Sequence, residues 1–217
     1  DGAEGNPFYI EELVKMLIEQ GVIERGGGTG DQASGEEDNS PALVLPRSPA
    51  LPTDPWRVRA ERLEGLKVPE TLTGLLQARL DSLPRPEREV LQRAAVVGRT
   101  FWDDAVSALD SIVEEPDGRH NGHNTLQSQL DSLARRELIV RRDRSAFVGT
   151  AEYTFRHNLL REVTYETVLL RSRRQHHARV ARWLELNAGA RLSEYLGLIA
   201  EHYVQAGANG RAAAYLE

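Results

Sequence analysis

Apolar side chains recur three and four residues apart at Ile10, Leu13, Val14, Leu17 and Ile18, the spacing of one helix face. Asn6-Pro7 supplies a start, because Asn accepts free N–H groups of a first turn and Pro fits the first helical position. Gly21 after Gln20 supplies a stop. So short a helix is not stable alone and is expected to dock on sequence that precedes it. The pattern then vanishes. From Gly26 to about Pro55 the chain carries Gly26-Gly27-Gly28, an acidic stretch around Glu36-Glu37-Asp38, and Pro41, Pro46, Pro49, Pro52 and Pro55. That composition buries too little to offset its ordering entropy, and it reads as a flexible insertion in which only Leu43-Val44-Leu45 could touch a neighbour.

Order is expected again from Trp56. Leu72, Leu75, Leu76, Leu80 and Leu83 line a helix that Pro84 and Pro86 end. Val90, Leu91, Ala94 and Ala95 predict a second helix, up to Gly98, and Phe101-Trp102 to Leu109 a short third. Ser111 to Gly122 reads as a loop. Asn124 with Gln127 fits a capping box ahead of a stripe of Leu126, Leu130 and Leu133. Two β-like segments follow, Leu138 to Arg141 and Tyr153 to Phe155, joined by a polar turn around Ser145 to Thr150. Three helices and a two-stranded hairpin in this order describe a winged-helix domain.

Beyond His157 every segment reads as helical. Leu159, Leu160, Val163 and Val168 lead into Arg171 to Leu186, with Val180, Trp183 and Leu184 on the buried face. Leu196, Ile199 and Tyr203 line the next helix, which Gly207 stops. The pair Ala200-Glu201-His202-Tyr203 with Ala206-Gly207, and Ala212-Ala213-Ala214-Tyr215-Leu216, resembles one tetratricopeptide-like helix hairpin. The expected fold is mainly α: a helical lid remnant over 1–25, a linker over 26–55, a winged-helix domain over 56–157, and over 158–217 a helical bundle leading into tetratricopeptide-like repeats.

Composition narrows the function. The 217 residues open at Asp1 without an initiator Met and stop inside a helical pattern, so an interior piece of a longer protein is expected. No apolar run approaches the roughly 18 residues that cross a bilayer, and nothing resembles a signal peptide. With no Cys, a disulfide framework and thiolate chemistry are excluded. Net charge of −6 gives no global attraction to nucleic acid or anionic lipid. A cytoplasmic protein without membrane partners is the expectation.

No active site stands by itself. Gly26-Gly27-Gly28-Thr29-Gly30 lacks the lysine and preceding strand of a phosphate loop. His120 and His123 sit in a Gly/Asn-rich stretch without a carboxylate partner. His176 and His177 are adjacent on a helix and point to different faces, so they are no i, i+4 metal pair. Asp103-Asp104 and Glu114-Glu115 read as solvated surface. Arginines are dense at Arg135-Arg136, at Arg141-Arg142 with Arg144, and at Arg171 with Arg173-Arg174. In a winged-helix frame the first two groups fall where such domains meet DNA phosphates. Nearby Glu137, Asp143 and the negative net charge favour a salt-bridged, solvated face instead.

Four segments resemble the signal-transducing STAND-type ATPases, especially the ATPase regions attached to bacterial adenylate/guanylate cyclases and to large helix-turn-helix activators. They are Gly5-Asn6-Pro7-Phe8-Tyr9-Ile10-Glu11-Glu12-Leu13; Val68-Pro69-Glu70-Thr71-Leu72 through Ala78-Arg79-Leu80-Asp81-Ser82-Leu83; Leu91-Gln92-Arg93-Ala94-Ala95-Val96-Val97-Gly98 with Phe101; and Phe155-Arg156-His157-Asn158-Leu159 with Tyr165, Arg174 and His177. The resemblance implies that Gly5 and Pro7 open the helical lid, with the proline against adenine. It implies that His157 meets the β-phosphate of ADP, although Asn158 stands where relatives carry an acid. A structural turn histidine remains the other reading of His157. ATP or ADP with Mg would bind an upstream core, not this piece alone, which is expected to be non-catalytic. The implied partners are that core and downstream repeats of the same chain, with a protein or small-molecule signal; DNA is the alternative partner. The whole protein would bind and hydrolyse ATP, and a nucleotide cyclase is one output the family carries.

Overall fold

The computed structural model describes residues 7–25, 56–59, 69–110 and 121–215, and is mainly helical with small antiparallel sheets. The expected linker over 26–55 lies outside these residues, as do Gly5 and residues 111–120 of the expected loop Ser111 to Gly122, whose last two residues are helical instead. The chain divides into two compact units, residues 1–75 and 76–217.

In the first unit, helix α1 runs Pro7–Glu19 and Gly21, at φ 65, ends it, with the Val22 N–H reaching back to the Leu17 carbonyl at 2.8 Å. Within this chain only part of the helix surface is covered. Tyr9, Glu12 and Met16 are buried, whereas Ile10, Val14 and Ile18 are 51%, 40% and 41% exposed. Apolar residues cover a wide arc of this helix, so periodicity alone does not select the inward side. The Tyr9 hydroxyl donates to the Pro69 carbonyl at 2.7 Å, which fixes the rotation of α1 against that segment. Strand β1 (Ile23–Arg25) pairs antiparallel with β2 (Trp56–Val58), Ile23 opposite Val58. Neither strand is evident from periodicity, since three residues are too short to show alternation. This pairing puts residues 56–58 with α1, although the sequence reading opens the winged-helix domain at 56.

Helix α2 (Leu72–Ser82) carries the chain from one unit into the other. The second unit is built around α3 (Arg85–Val97), where Val90, Leu91 and Ala94 to Val97 are all buried. Pro86 occupies its first turn, where no N–H is needed. The next segment corrects the expected helix from Phe101. Thr100–Trp102 is strand β3, and only Asp103–Ala108 is helix, α4. Helix α5 spans Asn121–Arg135 with Leu126, Leu130 and Leu133 buried as expected. It begins before Asn124, so Asn124 does not cap it. Gln127 instead donates to Asp131 Oδ1 and Tyr153 Oη, both at 2.9 Å.

Strands β4 (Ile139–Arg141) and β5 (Glu152–Phe155) match the two expected β segments. They do not form a hairpin alone: β3 pairs on the far side of β5, giving the antiparallel order β3-β5-β4 with Phe101 opposite Tyr153. Phe101 packs against Tyr153 and Phe155 at 5.7 and 5.5 Å between ring centres, and all three are buried. Asp103 is likewise not the solvated surface its neighbour Asp104 suggested. It is 5% exposed, and Oδ1 accepts the N–H groups of Asp104 and Ala151.

Helices α6 (Asn158–Glu166), α7 (Leu170–Asn187) and α8 (Leu192–Ala206) follow, with a single 3-10 turn at Gly189–Arg191 between the last two. Val180, Trp183, Leu184, Ile199 and Tyr203 are buried as their spacing predicts. Gly207, at φ 79, ends α8 in the left-handed conformation that glycine adopts without a Cβ penalty. Short helix α9 (Asn209–Ala213) packs on α8. The hydroxyls of Tyr203 and Tyr215 both donate to Glu185 Oε1, at 2.7 and 2.5 Å, which pins the end of the chain to α7.

Candidate functional site

The residues singled out for nucleotide contact fall in different units. Pro7 is exposed at the first position of α1. His157 lies between β5 and α6, half-buried, with extended backbone at φ −131 and ψ 139. The chain must leave a strand and enter a helix within two residues there. His157 therefore stands at the N-cap position, beside the first N–H groups of α6, and its own side chain makes no capping hydrogen bond. Such N–H groups carry the positive end of the helix dipole, which suits an anion. The Asn158 amide donates to Glu162 Oε1 one turn along the helix.

The arginines are sorted by what they touch. Arg136 Nε lies 3.2 Å from Glu87 Oε2, and its backbone carbonyl accepts from Arg79, a guanidinium 1% exposed. Arg142 Nε lies 3.2 Å from Glu152 Oε1. Arg135, Arg141 and Arg144 are exposed and form no ion pair among the described residues. Of the four arginines expected to meet DNA, Arg136 and Arg142 are thus paired with carboxylates, and Arg135 and Arg141 are not paired among the described residues.

Comparison with known proteins brings no match: no family model, no curated protein and no solved structure is similar to this chain. Among the described residues no helix is long and apolar enough to cross a membrane.

Two arrangements went unseen in the sequence. The first is Glu152, buried in β5, which accepts the Trp102 indole N–H at 3.0 Å and the Ala146 N–H at 2.9 Å while pairing with Arg142. It ties β3 and the loop after β4 to one carboxylate. Beside it, Trp102 stacks on Trp183 at 5.6 Å, and Phe147 meets both edge-on at 4.7 and 4.8 Å. Tyr195 closes the cluster from α8, and Arg191 donates to the Ala146 carbonyl. The second is a hydrogen-bonded chain of Tyr165, His177 and His202. His176, next to His177, faces elsewhere, as its place on the helix predicts. Burial first, then Arg179 and Arg93, hold its imidazole below the usual histidine range. His120 lies outside the described residues, and so does Glu114-Glu115; the side chain of His123 does too.

Proposed function

We propose that this chain is the regulatory part of a STAND-type signalling ATPase, in which a winged-helix domain relays the ATP or ADP state of an upstream core to downstream helical repeats. The observation that carries the reading is the order helix, strand, helix, helix, strand, strand from α3 to β5, followed at once by His157 at the start of helix α6. A winged-helix domain has that order, with the loop from β4 to β5 as its wing. The aromatic cluster supports the relay, because it joins the sheet and wing loop to α7 and α8 through buried ring faces. A nucleotide-driven movement of the domain would carry the α7–α8 hairpin with it. We read α8 and α9 as the start of the tetratricopeptide-like array.

In this reading the His157 imidazole and the N-terminus of α6 hold the β-phosphate of ADP bound to the core, and Gly5-Asn6-Pro7 meets the base. His157→Ala, made in the protein that includes the core, is then expected to speed ADP release about tenfold or more, since a hydrogen bond to a charged group contributes about 1.5–3 kcal/mol. Basal output should rise with it. An unchanged ADP off-rate and unchanged activity reject the reading.

A second reading, a DNA-binding regulator, is favoured by the free guanidiniums of Arg135, Arg141 and Arg144. Duplex DNA labelled for fluorescence anisotropy tests it with the chain alone. Binding that weakens steeply with salt and is lost in Arg141→Ala/Arg142→Ala supports DNA contact. No binding at low salt removes it.

A further inference from the structure

Three helices meet at one buried hydrogen-bonded chain. The Tyr165 hydroxyl of α6 lies 2.9 Å from His177 Nε2 of α7, and His177 Nδ1 lies 2.8 Å from His202 Nδ1 of α8. Both imidazoles are 4% exposed, and no metal-binding carboxylate or further histidine ligand joins them among the described residues. A contact between two Nδ1 atoms requires that one carry a proton and the other present a lone pair. Two fully protonated rings would set N–H against N–H. The geometry therefore holds only while the pair lacks at least one proton.

The surroundings oppose added charge. Arg161 from α6 and Arg173 from α7 lie over the Tyr165 ring, at 5.4 and 4.5 Å from its centre, and His176 is the neighbour in sequence. From α3 comes the Val97 backbone carbonyl, which gives His202 weak support, while His202 Nε2 is buried without a well-formed hydrogen bond. No carboxylate is among the groups acting on either ring. We propose that Tyr165, His177 and His202 form an acid-released latch: neutral, it seats the α7–α8 hairpin against α3 and α6, and on protonation it lets the hairpin go.

The sign follows from linkage. Burial, with Arg161 and the neighbouring histidine adding to it, lowers His177 to about 4 and His202 to about 3. Released into water, each returns to about 6.5. The seated state is therefore fully favoured above about pH 6.5, and that advantage is lost as pH falls toward the two lowered values. Between pH 7.5 and 5.5 each imidazole shifts the seating equilibrium about tenfold, so the pair shifts it about a hundredfold toward release. The inference concerns how the hairpin is held, and it stands whether or not His157 senses a nucleotide.

The Trp102–Trp183 stack crosses the same boundary and reports on it. The 217-residue chain, followed by near-UV circular dichroism and tryptophan fluorescence from pH 7.5 to 4, is expected to lose the stack while far-UV helicity persists. His177→Gln/His202→Gln should move that transition to lower pH or abolish it. A transition at the same pH in both proteins, or one that coincides with loss of helicity in both, overturns the latch. The wild-type chain gives a readout that survives a variant failing to fold. The ring resonances of His177 and His202 should stay those of neutral imidazole while the stack persists and shift together as it is lost. Rings that titrate near 6.5 with the stack intact overturn the proposal equally.

Discussion

Trp183→Ala is expected to cost about 3–5 kcal/mol of folding free energy, the range for truncating a large buried aromatic. Trp183 is buried against the Trp102 face and the Phe147 edge, so the substitution opens a cavity where the sheet, the β4–β5 loop and α7 meet. The other rings of the cluster, Trp102, Phe147 and Tyr195, belong to three separate segments and cannot all collapse inward to fill the gap. Urea unfolding followed by far-UV circular dichroism measures the loss. Trp183→Phe should recover a substantial part of it, because a smaller ring still fills much of the space and retains an edge contact. A cost below about 1 kcal/mol for the alanine variant would place Trp183 in surface cover rather than core. It would also remove the physical basis for the hairpin moving with the sheet.

Glu152→Ala should cost about 2–4 kcal/mol through a different mechanism. Its carboxylate satisfies the indole of Trp102, the backbone N–H of Ala146 and the guanidinium of Arg142. Truncation leaves the first two donors without an acceptor at a buried position, and the penalty of an unmade buried hydrogen bond exceeds the net gain of making it. Glu152→Gln should be milder, since an amide oxygen still accepts one or two of those bonds. The β4–β5 loop supplies a local readout: amide exchange at Ala146 and Phe147 should accelerate in Glu152→Ala well before global unfolding. Unchanged exchange there would mean that Ser145 and Thr150, which share a 2.8 Å hydrogen bond, hold the loop without the carboxylate.

Both residues show where sequence reasoning stopped. The helical spacing Trp183 shares with Val180 and Leu184 predicts a buried face, and all three are buried in the structure. Its partners Trp102 and Phe147 lie 81 and 36 residues away, at distances no periodicity relates. Glu152 has no local mark at all. One glutamate in a polar turn resembles any solvated acid until a strand brings Trp102 beside it. Strand β3 was missed for a related reason. Thr100–Trp102 is only three residues long and is followed at once by a helix, so its apolar residues fit the helical period equally well. What makes it a strand is the free edge of β5, which exists only after folding.

The candidate sites divide in the same way. Resemblance singled out His157, and local structure places it between a strand and a helix, as its flanking residues imply. The arginine clusters were visible as composition. Which guanidiniums are tied down was not, because Glu87 and Glu152 reach Arg136 and Arg142 from other elements. The histidine pair is the clearest case. His177 and His202 occupy ordinary helical positions 25 residues apart, and only the antiparallel packing of α7 on α8 turns two unremarkable side chains into one hydrogen-bonded unit.

Local sequence sets most of the helices here, their ends at Gly21, Pro84 and Gly207, and most of their buried faces. These depend on interactions within four or five residues, where spacing, proline and glycine act directly. Long-range packing sets the rest: the strand β3, the burial of Asp103 and Glu152, and the contact between His177 and His202. Each of those depends on a partner distant in sequence, and a buried polar group is acceptable only once that partner has arrived to satisfy it.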